Sequence, residues 1–145
     1  MIFGIGIDLA KCVRFEKWLD SPCKPDSPDK PGMLERFFNA KEIPEAVRGE
    51  NSNLSQAQKS AALQRLAARF AAKEAFSKAL GCGLAFDLRD VWIENDAAGK
   101  PELRLQESAL EALKKRCPQW QAAKIFVSLS HEKEYAVAQV AIEIP

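Results

Sequence analysis

Two acidic residues stand in unusual company, one within an apolar stripe and one beside glycines. Residues 55–80 have the periodicity of one long helix, and on its wheel Leu63, Leu66, Ala67, Phe70 and Ser77 fall within about 60° of one direction. Glu74 lies about 20° from Leu63, near the middle of that apolar stripe. A buried carboxylate is strongly unfavourable unless it is paired, hydrogen-bonded or bound to metal. A core-facing Lys or Arg would satisfy it, a kinked or shorter helix would return it to water, and a divalent cation would use it as a ligand. The second acid is Asp8. In a strand over 1–9, Phe3, Ile5, Ile7 and Leu9 project one way, and Gly4, Gly6 and Asp8 the other. Two glycines on one face leave room for another backbone or a ligand beside the carboxylate.

Cations cluster near Glu74. Arg65, Arg69 and Lys73 follow i, i+4, i+8 spacing and form a basic stripe beside the apolar one, with Lys78 on its other flank. Such a run is ordinarily a solvated helix face. Four cations around an embedded carboxylate also suit a polyanionic phosphate that a metal ion bridges to it. Gly81-Cys82-Gly83 after the helix either lets a ligand approach the backbone or caps the helix and turns the chain. The single histidine, His131, follows a strand containing Ser128 and Ser130. Near neutral pH an imidazole takes a proton or bonds a phosphate, although a structural hydrogen bond is its commoner use.

Several familiar motifs are missing. There is no GxxxxGK[ST] phosphate loop, and a dinucleotide fingerprint starting at Gly4 would need a glycine where Leu9 stands. Neither Ser128 nor Ser130 sits in the GxSxG elbow of a serine hydrolase.

The elements that must position these side chains can be read along the chain. A first strand over 1–9 leads to a short helix over 11–19, with Val13, Phe15 and Trp18 as candidate core contacts. Residues 21–32 carry prolines at 22, 25, 28 and 31 and read as an irregular loop. Apolar character resumes over 33–38, and a polar connection follows through Asn53. Ser55 and Gln58 form a capping box for the long helix, and Gly81 stops it. A hairpin over 87–94 and 102–105 turns at 96–100, a helix spans 108–116 on Ala109, Leu110 and Leu113, and a second hairpin joins 125–130 to 135–144. This order predicts one α+β domain over 1–145, an antiparallel sheet packed with one long and several short helices.

Composition narrows the function. A formal charge of +1 argues against bulk nucleic-acid binding, which needs a broadly basic surface. No stretch approaches the ~20 apolar residues of a membrane span, and Asp8 interrupts any leader-like run. Cys12, Cys23, Cys82 and Cys117 lie far apart with no CxxC pair, which favours buried thiols in a reducing compartment over a zinc site. A cytosolic protein is expected, without membrane or nucleic-acid partners.

Three segments together resemble the holo-[acyl-carrier-protein] synthases of the 4′-phosphopantetheinyl transferase superfamily: Gly4-Ile-Gly-Ile-Asp-Leu9, Arg69-Phe-Ala-Ala-Lys-Glu-Ala-Phe-Ser-Lys-Ala-Leu-Gly81 and Ser128-Leu-Ser-His-Glu-Lys-Glu-Tyr135. Gly99-Lys100-Pro101 is a fourth, short match in the expected order. The resemblance implies that Asp8 and Glu74 ligate Mg²⁺. It also implies that Arg69, Lys73, Ser77, Lys78 and the turn Gly81, Cys82 and Gly83 hold coenzyme A, with Gly99, Lys100 and Pro101 near its nucleotide end. His131 matches the family histidine near the reacting phosphate, and Arg14, assisted by Arg36, matches the residue that meets the acidic carrier protein. The implied reaction moves phosphopantetheine from coenzyme A to a serine of apo acyl carrier protein and releases adenosine 3′,5′-bisphosphate, a step in fatty acid and lipid biosynthesis. Lys78 would stabilise phosphate charge, while Glu74, His131 and water on the metal are the candidate acceptors of the serine proton. Chains of this length in the family imply a homotrimer with sites between subunits. The residues alone also allow a non-catalytic module that binds coenzyme A or a nucleotide phosphate, or a structural interaction protein with Glu74 salt-bridged.

Overall fold

A computed structural model describes residues 1–19, 32–44, 47 and 53–145. The proline-rich stretch over 21–32 lies outside the described residues except for Gly32, as does Cys23. In chain order the elements are β1 (Ile2–Lys11), a 3-10 turn (Cys12–Phe15) running into α1 (Glu16–Leu19), α2 (Met33–Phe37), α3 (Gln56–Leu80), β2 (Val91–Asn95), β3 (Pro101–Leu105), α4 (Glu107–Arg116), β4 (Lys124–His131) and β5 (Tyr135–Glu143). Two antiparallel sheets result, one ordered β1-β5-β4 and the other the hairpin β2-β3. The molecule is α+β, with one long helix and several short ones.

The long helix begins and ends where its caps require. Ser55 accepts a hydrogen bond from Gln58 N while Gln58 returns one to Ser55 N, and Gly81 closes the helix at φ 67°, in the left-handed region. α3 crosses the inner face of β1 and β5 and packs on its other side against β2. Its second half is therefore buried almost all round, not along one stripe. Leu66, Ala67, Ala71, Ala72, Ala75 and Phe76 are each fully enclosed.

The two glycines of β1 serve this helix. A Cβ on Gly4 would lie 1.9 Å from the carbonyl oxygen of Ala79, and one on Gly6 would lie 1.9 Å from that of Ala75. The bare face is thus filled by another backbone, not by a ligand. Gly6→Ala must push α3 off the sheet, and we expect a stability loss of about 3 kcal/mol or more in urea denaturation. A loss within ~0.5 kcal/mol, the range of a neutral surface change, would contradict this seating.

The opposite face of the same sheet departs from expectation. Ile5, Ile7 and Leu9 are 58%, 60% and 62% exposed, and Phe126 on β4 is 46% exposed. Val13 is exposed too, while Phe15 and Trp18 do enter an aromatic cluster with Phe37, Phe38 and Phe70. The residues expected as one short helix over 11–19 are the end of β1, the 3-10 turn and α1.

Candidate functional site

The packing of α3 on β1 places the carboxylates. Gly4 meets Ala79 and Gly6 meets Ala75, so the helix runs antiparallel to the strand and Asp8 reaches it about one turn earlier. There Asp8 Oδ1 accepts a hydrogen bond from Lys78 Nζ at 2.7 Å, and the same ammonium donates to the Ile7 carbonyl at 3.0 Å. Glu74 lies close enough to feel Asp8. Its carboxyl is held above the usual carboxylate range, first by partial burial and then by the Asp8 charge, against the opposing pull of Lys78 and Arg14. Arg14 is fixed beside it by stacking, with its guanidinium 4.7 Å from the Phe70 ring centre and 5.9 Å from that of Phe15.

The structure therefore gathers Asp8, Glu74, Lys78 and Arg14. Two hard oxygen donors that repel each other suit a divalent cation such as Mg²⁺, which typically takes one or two carboxylates and completes its shell with substrate phosphate and water. Among the described residues no group of three His, Cys, Asp or Glu can hold a metal. Substrate phosphate and water are the natural sources of the remaining ligands. The Lys78 side chain is 52% exposed; an ion pair so open is worth roughly 0–1 kcal/mol, so its ammonium is free to turn onto a phosphate.

The glycine turn after α3 is braced from two sides. Ser77 is buried and donates to the Gly83 carbonyl at 2.5 Å, and the Cys82 thiol reaches the same oxygen at 3.1 Å. Arg116, at the end of α4, donates to the carbonyls of Leu80 and Gly81. Ser77 is thus positioned to shape the turn. Arg116 was not singled out from the sequence, because a basic last turn on an amphipathic helix carries no sign of what it caps.

Lys73 requires a correction. Assigned by resemblance to coenzyme A, it is fully buried and points away from Glu74, to the β2 side of α3. Its three N–H donors go to Glu42 Oε2 at 2.6 Å, the Leu88 carbonyl at 2.9 Å and the Val91 carbonyl. No donor is left for a ligand. Glu42, also fully buried, accepts further bonds from Asn39 N and Ile93 N. Sequence reading missed it inside a polar connection. Arg69 shares that side of the helix. Burial, then Arg65, push its guanidinium down to about 10 against the pull of Glu42, and its Nε has no hydrogen-bond partner among the described residues.

The other candidates stand apart. His131 ends β4 in the row His131–Ala136–Ala10, next to the row Leu129–Ala138–Asp8, so it shares the sheet face with Asp8. Two strand spacings and one row separate them, about 12 Å between backbones. Gly99, Lys100 and Pro101 form the tip and start of the β2–β3 hairpin, closed by Asp96 accepting from Ala98 N and Lys100 N. Arg36 is exposed on α2.

Comparison with known proteins places this geometry. Residues 4–140 match the model of the 4′-phosphopantetheinyl transferase superfamily. The holo-[acyl-carrier-protein] synthase of Treponema denticola is 44% identical over 144 residues, covering 99% of both chains, and that of Trichlorobacter lovleyi is 40% identical over the whole of both. A crystal structure of the Bacillus anthracis holo-(acyl-carrier-protein) synthase in complex with CoA (3′,5′-ADP) superposes with a TM-score of 0.68 at 33% identity, covering 100% of this chain and 99% of that one. The chain belongs to the 4′-phosphopantetheinyl transferase superfamily and is an enzyme of the holo-[acyl-carrier-protein] synthase kind.

Proposed function

We propose that this chain carries out Mg²⁺-dependent transfer of 4′-phosphopantetheine from coenzyme A to a serine of apo acyl carrier protein, releasing adenosine 3′,5′-bisphosphate, in fatty acid and lipid biosynthesis. The observation that carries this reading is the meeting of Asp8, Glu74 and Lys78 beside the seam of β1 and α3. Asp8 and Glu74 would hold the metal, which when bound supplies Lewis-acid stabilisation of diphosphate charge. Lys78 shifts from Asp8 to the phosphate oxygens. The Gly81–Gly83 turn, shaped by Ser77, offers close backbone approach, and the hairpin tip at Gly99, Lys100 and Pro101 takes the nucleotide end. Arg69, whose Nε is unpartnered among the described residues, is the candidate for an anionic group on its side of α3. The carrier serine forms a new Oγ–P bond as the bond from the β-phosphorus to the nucleotide's bridging oxygen breaks, and its proton passes to Glu74 or His131. Arg14, with Arg36, meets acidic residues of the carrier.

We further propose a homotrimer with sites between subunits, the chain acting as one domain. A contiguous exposed face of Ile5, Ile7, Leu9 and Phe126 supports association. So does the distance of His131 from Asp8, which a neighbouring copy could close. Sedimentation as a monomer at micromolar concentration would contradict the trimer.

The reading predicts that an apo carrier protein incubated with the chain, coenzyme A and Mg²⁺ gains one phosphopantetheine by mass spectrometry, and that chelation abolishes the gain. Coenzyme A binding with no transfer to any carrier would instead identify a non-catalytic binding module.

A further inference from the structure

The C-terminal end of α3 has the wrong sign for an anionic ligand. Its last carbonyls carry the negative pole of the helix, equivalent to roughly half an elementary charge. The Gly81–Gly83 turn, which the transferase reading gives to coenzyme A, follows directly on that pole. Lys78, the cation in the helix's own last turn, does not serve it, because its ammonium donates to Ile7 and Asp8 of β1. We propose that Arg116, at the end of α4, is the positioning residue that fits this turn for coenzyme A. It ties down the carbonyls, offsets the pole and leaves the N–H groups of the turn to the ligand. The inference rests on the transferase reading and adds a residue that reading does not use.

The bonds of the turn divide into two sets. Arg116 Nη2 donates to the Gly81 carbonyl at 3.0 Å, and its Nε to that of Leu80 at 3.4 Å. The Gly83 carbonyl accepts from the Ser77 hydroxyl and the Cys82 thiol. The carbonyls of Ser77 and Lys78 both accept from Gly81 N, as a closing helix requires. The donors that follow are unspent. The N–H groups of Gly83 and Leu84 have no partner among the described residues, and both residues are exposed. Carbonyls held on one side and successive free donors on the other polarise the turn toward an anion.

Arg116 is built into this position. A Cβ on Gly81 would lie 3.3 Å from Arg116 Nη2, so the glycine gives the guanidinium its close approach as well as adopting φ 67°. The next residue, Cys117, is fully buried, and its N–H donates to the Leu113 carbonyl at 2.8 Å, which anchors the backbone that carries the arginine. Among the described residues no carboxylate pairs with Arg116, so its charge remains available to the turn. Its planar fork reaches two successive carbonyls, whereas a lysine would bring the same charge to a single point.

The test separates charge from packing. Arg116→Met keeps an unbranched stem and removes charge and donors, while Arg116→Lys keeps the charge. Steady-state transfer is measured with coenzyme A varied and then with the apo carrier varied. Arg116→Met is expected to raise the KM for coenzyme A about fivefold, the scale of one charge at a helix end. Its kcat and its KM for the carrier should match the parent, as for loss of uniform binding. Arg116→Lys should return the KM for coenzyme A to within about twofold of the parent. Calorimetry of coenzyme A should rank the three proteins in the same order, and their melting temperatures should agree within a few degrees, since the side chain is exposed. Unchanged coenzyme A binding in Arg116→Met, an equal rise in both KM values, or a Lys variant no better than Met overturns the proposal. A fall in melting temperature with both KM values unchanged also overturns it, leaving Arg116 a purely structural contact. If the parent binds coenzyme A yet transfers nothing, the transferase reading fails, while calorimetry on the same three proteins still decides the role of Arg116.

Discussion

Glu74→Gln is expected to do two opposite things: lower transfer at least about a hundredfold, as loss of a metal ligand should, and raise the melting temperature of the metal-free protein. The second effect follows from the carboxyl's environment. Burial first, and Asp8 second, raise its folded pKa above the unfolded value of 4.5. A group so shifted contributes stability that is fully present below the unfolded value, and that contribution is lost as pH rises through the folded one. At neutral pH the charge therefore disfavours the folded, metal-free chain, and the uncharged amide removes that penalty. Melting of both proteins at neutral and acid pH checks the sign: the advantage of Gln should be present near pH 7 and shrink toward and below pH 4.5. A variant less stable than the parent at neutral pH would mean that Glu74 is an ordinary paired carboxylate. The same relation bears on function, because metal binding needs the ionised carboxylate and should weaken on acidification sooner than for an ordinary glutamate.

Breaking the buried pair on the other side of α3 should have the largest effect on stability. Lys73→Met leaves Glu42 buried without its cation, and removal of one partner of a buried pair typically costs about 3–5 kcal/mol. Combining it with Glu42→Leu removes both charges and should recover most of that loss, since apolar replacement of a whole buried pair is often neutral. Denaturant titration of the two single variants and the double variant gives the coupling. If Lys73 were instead a ligand for coenzyme A, Lys73→Met would leave stability nearly unchanged and weaken coenzyme A binding. The three bonds of its ammonium to Glu42, Leu88 and Val91 predict the reverse.

What the sequence reveals and what it hides divide along physical lines. The ends of α3 are legible because Ser55, Gln58 and Gly81 act locally, through bonds to their own backbone. The oddity of Asp8 and Glu74 is legible because period two places one on a face with two glycines and period 3.6 places the other within an apolar stripe. Which cation serves which carboxylate is not legible. Arg69 and Lys73 lie beside Glu74 on the wheel, yet the direction each takes depends on what packs against α3 from β2 and from the connection carrying Glu42, a matter of tertiary contact. The glycines of β1 show the same limit. Their spacing announces a close neighbour, and only the packing identifies it as the backbone of α3. The outward turn of Ile5, Ile7 and Leu9 has the same origin: alternation separates two faces of a strand, and the burial of each depends on what the rest of the molecule, or another copy, lays against it.

The relatives known by comparison bring the family but not the wiring of this chain. The central claim is that two carboxylates from distant elements share one divalent ion, and that the substrate diphosphate completes its shell, since the described residues include no third His, Cys, Asp or Glu ligand beside them. Calorimetric titration of Mg²⁺ tests it most directly, performed with and without coenzyme A on the parent, Asp8→Asn and Glu74→Gln. One ion per chain should bind tightly to the parent only when coenzyme A is present, and both variants should lose it. Equally tight binding without coenzyme A, or binding unchanged in either variant, would contradict the shared site.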